Sequence, residues 1–248
     1  MFISDSHELI VLLPQKCASK TLQIRFDALR SPDSLDSGVV YEEELGRYIS
    51  KHVTLKDALK LQAYKNREGY RKACFVRNPY DRVYSWFTWI RRSLDKPGPE
   101  AVGGHKEIDR IEHIRRSRAR KLEKMEELDY DFNRYLKRNE KSFKPANRFT
   151  HHKKKCLVDF IGYQEDFERD YNGMVKLFQL PVSSVGDGNV VSGKRCAKKP
   201  PEMVASDYQY AEFFDRESIR IINRRFKLDF KYFDYPMLKP RHFPVTLG

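Results

Sequence analysis

A chain of 248 residues is long enough for one sizeable α/β domain, since single hydrophobic cores grow to about 250 residues before chains divide. Its 40% hydrophobic and 33% charged residues, with 16 Phe and 14 Tyr, exclude a disordered chain, and no run of about 18 apolar residues provides a membrane span. The 48 Lys and Arg against 35 Asp and Glu leave a formal net charge of +13, which favours anionic partners: nucleotides, polyanionic glycans, nucleic acids or acidic membranes.

Residues Glu8 to Leu13 form a short apolar run bounded by polar residues, the pattern of a strand buried on both faces of a parallel sheet. Pro14 to Thr21 then reads as a turn, and Leu22, Ile24, Phe26 and Leu29 supply the apolar face of a helix. Tyr41 to Tyr64 reads as largely helical. Ala73 to Val76 is a second buried strand running into Arg77-Asn78-Pro79, where Asn78 suits an N-cap and Pro79 a first helical turn; that helix continues through Tyr84, Trp86, Phe87 and Ile90. Lys96 to His105 is a Pro/Gly loop, followed by a charged helix to about Arg138. Leu157 to Tyr163 reads as a third strand, Phe167 to Leu180 as a helix, Pro181 to Pro201 as a polar loop, and Glu217 to Phe226 as an amphipathic helix.

Charge is unevenly spread, because the segment from His105 to Lys155 holds 17 basic and 9 acidic residues. It is either a salt-bridged helix surface or the place where an acidic partner docks. Cys17, Cys74, Cys156 and Cys196 lie far apart, without a C-x-x-C pair or a zinc-like spacing to His, so neither a metal site nor a disulfide framework is expected. Met1 to His7 lacks the basic region and apolar run of a signal peptide, so the expectation for the chain as given is a soluble, cytoplasmic protein.

Two strand-to-helix junctions carry the chemistry. The first, Gln15-Lys16-Cys17-Ala18-Ser19-Lys20-Thr21-Leu22, sits where a P-loop would sit but has no glycine and lacks G-x-x-x-x-G-K-[ST]. Small residues at Ala18 and Ser19 let the backbone approach an anion, while Lys16, Lys20 and the Ser19 and Thr21 hydroxyls offer charge and hydrogen bonds. The second, Phe75-Val76-Arg77-Asn78-Pro79-Tyr80-Asp81-Arg82-Val83-Tyr84-Ser85, is more specific. It resembles the 3′-phosphate-binding motif of sulfotransferases that use 3′-phosphoadenosine 5′-phosphosulfate (PAPS), in which an arginine leaving a strand and a serine two turns along the next helix grip the 3′-phosphate. Arg77 and Ser85 hold those positions. The alternative is a capped helix with an exposed Arg77–Asp81 ion pair.

The first loop resembles the 5′-phosphosulfate-binding loop of that family, P-K-x-x-S/G-T-S/T, at Lys16, Ser19 and Thr21. It departs in having its proline at Pro14 and Lys20 in place of threonine. The resemblance implies cofactor contacts from Lys16, Cys17, Ala18, Ser19, Lys20, Thr21, Arg77 and Ser85, with Lys16 also offsetting charge on the leaving group. Between the junctions, His52-Val53-Thr54 resembles the H-x-T/S segment of the carbohydrate sulfotransferase branch that includes uronyl 2-O-sulfotransferases and bacterial relatives, which implies His52 as general base; His151 and His152 are the rivals. Val158 to Glu165 resembles the family's D-F-I-G-x-x-E and Tyr210 to Tyr235 its terminal aromatic pattern, both with packing as their expected role. Asn189 to Lys199 corresponds to a stretch that closes over the cofactor in relatives, which makes Lys194 and Arg195 candidate phosphate contacts.

The fold so implied is α/β, a three-layer sandwich with a central mainly parallel sheet similar to P-loop kinases, in one domain over 1–248 with a basic helical insert at about 105–155. The implied reaction moves a sulfuryl group from PAPS to a hydroxyl in line, without metal, and the branch favours a saccharide acceptor, which the basic segment suggests is anionic. The alternatives are a P-loop-like nucleotide or small-molecule kinase, against which the missing glycine loop counts, and a non-catalytic polyanion-binding protein. No nucleic-acid-binding motif accompanies the charge, so no nucleic acid is expected.

Overall fold

The computed structural model describes residues 1–35, 39–94, 105–181 and 211–244. In chain order its strands are β1 (Phe2–Ser4), β2 (Leu9–Leu12), β3 (Val39–Glu42), β4 (Arg47–Ser50), β5 (Arg71–Val76), β6 (His151–His152), β7 (Lys155–Cys156) and β8 (Phe160–Tyr163). Its α-helices are α1 (Ser19–Arg25), α2 (Leu55–Ala58), α3 (Gln62–Lys65), α4 (Pro79–Leu94), α5 (His105–Glu126), α6 (Phe132–Asn139), α7 (Phe167–Leu177), α8 (Arg216–Arg225) and α9 (Lys227–Tyr232). They fall into two compact units, the first drawn from Met1–Asn78, Pro145–Pro201 and Lys231–Tyr235, the second from Pro79–Lys144, Glu202–Phe230 and Pro236–Gly248.

The first unit is built on a four-stranded sheet of order β1-β2-β5-β8. β2, β5 and β8 run parallel, with Leu12 opposite Cys74 and Val76 opposite Tyr163, and β1 adds an antiparallel edge. The chain is therefore α/β with a mostly parallel central sheet. β2 and β8 are buried at every position, which is why both show as unbroken apolar runs. Leu9, Val11, Ala73, Phe75 and Phe160 pack with Leu22 and Phe26 of α1 and with Tyr171, Met174 and Val175 of α7. Gly162 is dictated by that packing, because a Cβ there would lie 2.5 Å from the Phe75 ring. Gly162→Ala is accordingly expected to destabilise the protein by about 1 to 3 kcal/mol through overpacking. Urea unfolding of the two proteins reads this directly, and an unchanged midpoint would show that the Phe75 ring yields freely.

The expected helix over Tyr41 to Tyr64 is corrected. Residues 39–50 form the β3–β4 hairpin, with Tyr41 opposite Tyr48, and only the short α2 and α3 follow. β-branched and aromatic residues at Val39, Val40, Tyr41, Tyr48 and Ile49 favour strand, and Gly46 takes a left-handed φ of 60° that breaks any helix between them.

In the second unit α4 turns Tyr80, Val83, Phe87 and Ile90 into the core, one face of a helix, with Phe87 against Phe132 and Tyr135 of α6 and the helix packed on α8. The charged helix expected to run to about Arg138 is in fact two. Asp129 and Tyr130 adopt left-handed φ values of 53° and 54°, the Tyr130 amide returns to the Met125 carbonyl at 2.8 Å, and Asp131 caps α6 by accepting from the Arg134 amide at 2.7 Å.

Candidate functional site

The carboxyl end of β2 leads through Leu13 into a loop whose backbone is strained without any glycine. Lys16 and Ala18 adopt left-handed φ values of 64° and 56°, each disfavoured for an L-residue by about 1 to 2 kcal/mol. Such conformations persist only where the surroundings enforce them. Here Cys17, between the two, is fully buried in the core with Leu13 and Leu22, and its thiol faces the Gln15 carbonyl at 3.5 Å. The Cys17 side chain is thus an anchor, and only its backbone can serve a ligand.

Ala18 occupies the N-cap of α1 and offers no side-chain acceptor; the first intrahelical bond runs from the Leu22 amide to the Ala18 carbonyl at 3.0 Å. The amides of Ser19, Lys20 and Thr21 precede that bond. Lys20 and Thr21 are exposed, Lys16 is half-buried and Ser19 is buried. This donor set of ammonium groups, hydroxyls and leading amides, with no acidic residue in the first turn, suits an anion such as a phosphosulfate.

His52 is tied to the same strand end. Its Nδ1 lies 2.6 Å from the Leu13 carbonyl, three residues before Lys16. A carbonyl can only accept, so Nδ1 carries the proton, and in the neutral ring Nε2 carries the lone pair. Local structure holds the segment on both sides. Lys51 Nζ donates to Gln23 of α1, and Thr54 caps α2 while donating to Asp57 Oδ2 at 3.0 Å, which in turn pairs with Arg47 at 2.8 Å.

The second junction leaves the sheet at the neighbouring strand. β5 ends at Val76, Arg77 follows half-buried, and α4 begins at Pro79. Asp81 is 6% exposed, so it is not the solvent-facing carboxylate that an exposed Arg77–Asp81 pair would need. Ser85 lies two turns into α4, half-buried, with its carbonyl accepting from the Thr88 hydroxyl at 3.2 Å; it belongs to the second unit and Arg77 to the first. Lys194 and Arg195 lie outside the described residues.

His151 and His152 form β6. The His151 ring stacks on Tyr232, centroids 4.1 Å apart at 9°, with Nδ1 2.8 Å from the Thr150 hydroxyl, and burial pushes its pKa below the usual imidazole value. These are the bonds of a packed ring.

Glu165 has a larger part than its motif suggested. The carboxylate accepts from the Asn78 amide at 2.6 Å and from the Tyr235 hydroxyl at 2.9 Å, joining the end of β8, the second junction and the terminal aromatic segment. Burial pushes its pKa up, while those donors and the positive charge of Arg77 oppose the shift. Its main partner is a backbone amide, which has no signature in sequence; the one available clue was the equal spacing of Asn78 and Glu165 from the ends of two parallel strands. Among the described residues no three His, Cys, Asp or Glu side chains are grouped as a metal site would need, and no helix is long and apolar enough to cross a membrane.

The profile described as the sulfotransferase family matches residues 1–236. No curated protein and no solved structure matches the chain.

Proposed function

The chain belongs to the sulfotransferase family, and from that premise we propose that it moves the sulfuryl group of PAPS onto a hydroxyl of a saccharide. The observation that carries this reading is the bond from His52 Nδ1 to the Leu13 carbonyl, which brings a proton-accepting ring to the strand end that also bears the cationic loop. Bound PAPS would supply the sulfuryl group and a phosphate leaving group. Lys16, Lys20, Thr21 and the leading amides of α1 would hold its 5′ end, with Cys17, Ala18 and Ser19 contributing backbone, and Arg77 its 3′-phosphate, the group for which the resemblance also implies Ser85. His52 Nε2 would take the proton of the acceptor hydroxyl. Lys16 would offset negative charge growing on the leaving oxygen, a kind of contribution worth about 3 kcal/mol. The family match, over residues 1–236, draws on both units, which supports reading them as one sulfotransferase domain.

The test is release of 3′-phosphoadenosine 5′-phosphate from PAPS by the purified protein, with label appearing on a panel of neutral and anionic saccharides. Saccharide-dependent release is expected. Nucleotide binding without turnover on any hydroxylated acceptor would overturn the proposal in favour of a ligand-binding protein.

An anionic acceptor is supported by the β6–β7 hairpin. Its two-residue turn is Lys153-Lys154, both at positive φ (47° and 68°), where Asn-Gly is the favoured pair. The backbone is strained to display lysine, and Lys153, Lys154 and Lys155 are all exposed. Elsewhere in the basic segment Arg116, Arg134 and Lys137 are engaged by Glu112, Asp129 and Asp215. β6 packs on α2, which opens two residues after His52 with the Thr54 cap. Changing Lys153, Lys154 and Lys155 together to Glu is expected to raise KM for an anionic saccharide by about tenfold or more at low salt, while leaving the KM for PAPS and for a neutral acceptor nearly unchanged. Equal effects on both acceptors would show the hairpin to be structural.

A further inference from the structure

Glu165 takes no part in the proton transfer or phosphate contacts assigned above, yet both of its carboxylate oxygens are engaged. The parallel register places Val76 opposite Tyr163, and continuing both chains by two residues brings Asn78 alongside Glu165. Each carboxylate oxygen is then used, Oε1 by the Asn78 amide and Oε2 by the Tyr235 hydroxyl. Tyr235 is itself 4% exposed, braced edge-on against Tyr163 with centroids 5.6 Å apart.

Burying a carboxylate is unfavourable, and an apolar side chain of similar volume would often stabilise the fold at least as well. Packing alone is therefore a poor reason for glutamate here. Two things follow from this carboxylate that an apolar residue would not provide. It fixes the amide one residue after Arg77, and so the direction in which the chain leaves β5. It also sets a carboxylate within reach of the positive charge of Arg77. A guanidinium oriented before its ligand arrives loses less freedom on binding.

We propose that Glu165, through the Asn78 amide and the Tyr235 hydroxyl, is a positioning residue that holds Arg77 ready for a 3′-phosphate. This rests on the assignment of Arg77 under the proposed function. Glu165 touches neither donor nor acceptor, and its effect is confined to how well the 3′-phosphate is distinguished.

The experiment measures, by calorimetry, the affinities of the full chain for 3′-phosphoadenosine 5′-phosphate and for adenosine 5′-phosphate, and takes their ratio. Glu165→Ala is expected to lower that ratio about tenfold, because Arg77 loses the orientation it holds before a phosphate arrives, with affinity for adenosine 5′-phosphate kept within about twofold. Glu165→Gln retains an acceptor for the Asn78 amide and should recover most of the ratio. Tyr235→Phe keeps the ring and removes one donor, with an expected fall of about threefold; it decides the matter if Glu165→Ala does not fold. A wild-type ratio in a folded Glu165→Ala or in Tyr235→Phe overturns the proposal, as does an equal loss of both nucleotides. A wild-type protein with no preference for the 3′-phosphorylated nucleotide overturns the Arg77 assignment, and this inference with it.

Discussion

His52→Ala is expected to lose turnover by about 10² to 10⁴, the usual span for removing a general base, while binding 3′-phosphoadenosine 5′-phosphate within about twofold of the wild type. The separation follows from what the ring touches. Its Nδ1–H is spent on the Leu13 carbonyl, so the chemistry falls to Nε2, and a lone pair there serves a hydroxyl proton and not a phosphate. Protonating the ring removes that lone pair, so acidification should slow turnover. His151→Ala is the contrasting variant. Its ring is committed to Tyr232 and Thr150, so its loss should register in stability before it registers in rate. Single-turnover rates and calorimetry on His52→Ala, His151→Ala and His152→Ala provide the comparison. Near wild-type turnover in the His52 variant beside an inactive His151 or His152 variant would move the base to β6.

The elements legible in the sequence were those whose burial is one-sided or complete. β2, β5 and β8 appear as apolar runs because both faces of a parallel sheet are covered, α4 appears through Asn78, Pro79 and the apolar residues to Ile90, and α8 appears as the amphipathic stretch from Glu217 to Phe226. β1 was missed, since three residues at a sheet edge are too few to set a period. The β3–β4 hairpin lies in a stretch that reads as helix from Tyr41 onward because its strands are only partly buried, as at Tyr48, and partial burial leaves no clean alternation. In the site, Lys16, His52 and Arg77 were each visible as residue types in a pattern. What draws His52 to the Lys16 loop is the Leu13 carbonyl, and what draws Glu165 to the second junction is the Asn78 amide. Backbone groups are the same at every position, so these ties were invisible until the chain was folded.

Arg77→Ala is expected to abolish most of the preference for a 3′-phosphorylated nucleotide. A hydrogen-bonded pair between a guanidinium and a phosphate contributes about 1.5 to 3 kcal/mol, or roughly 10- to 100-fold in affinity. The side chain stands half-buried at the end of β5, one residue before the amide that Glu165 holds. Arg77→Lys keeps the charge but not the planar fork, and should recover only part of the loss, because an ammonium lacks the two parallel donors that meet two phosphate oxygens in one plane. Ser85→Ala removes one neutral donor and should cost about 1 kcal/mol or less. The measurement is competition between 3′-phosphoadenosine 5′-phosphate and adenosine 5′-phosphate on each variant, in the same salt. If Arg77→Ala discriminates between them as well as the wild type does, the 3′-phosphate is held elsewhere and Arg77 serves the fold.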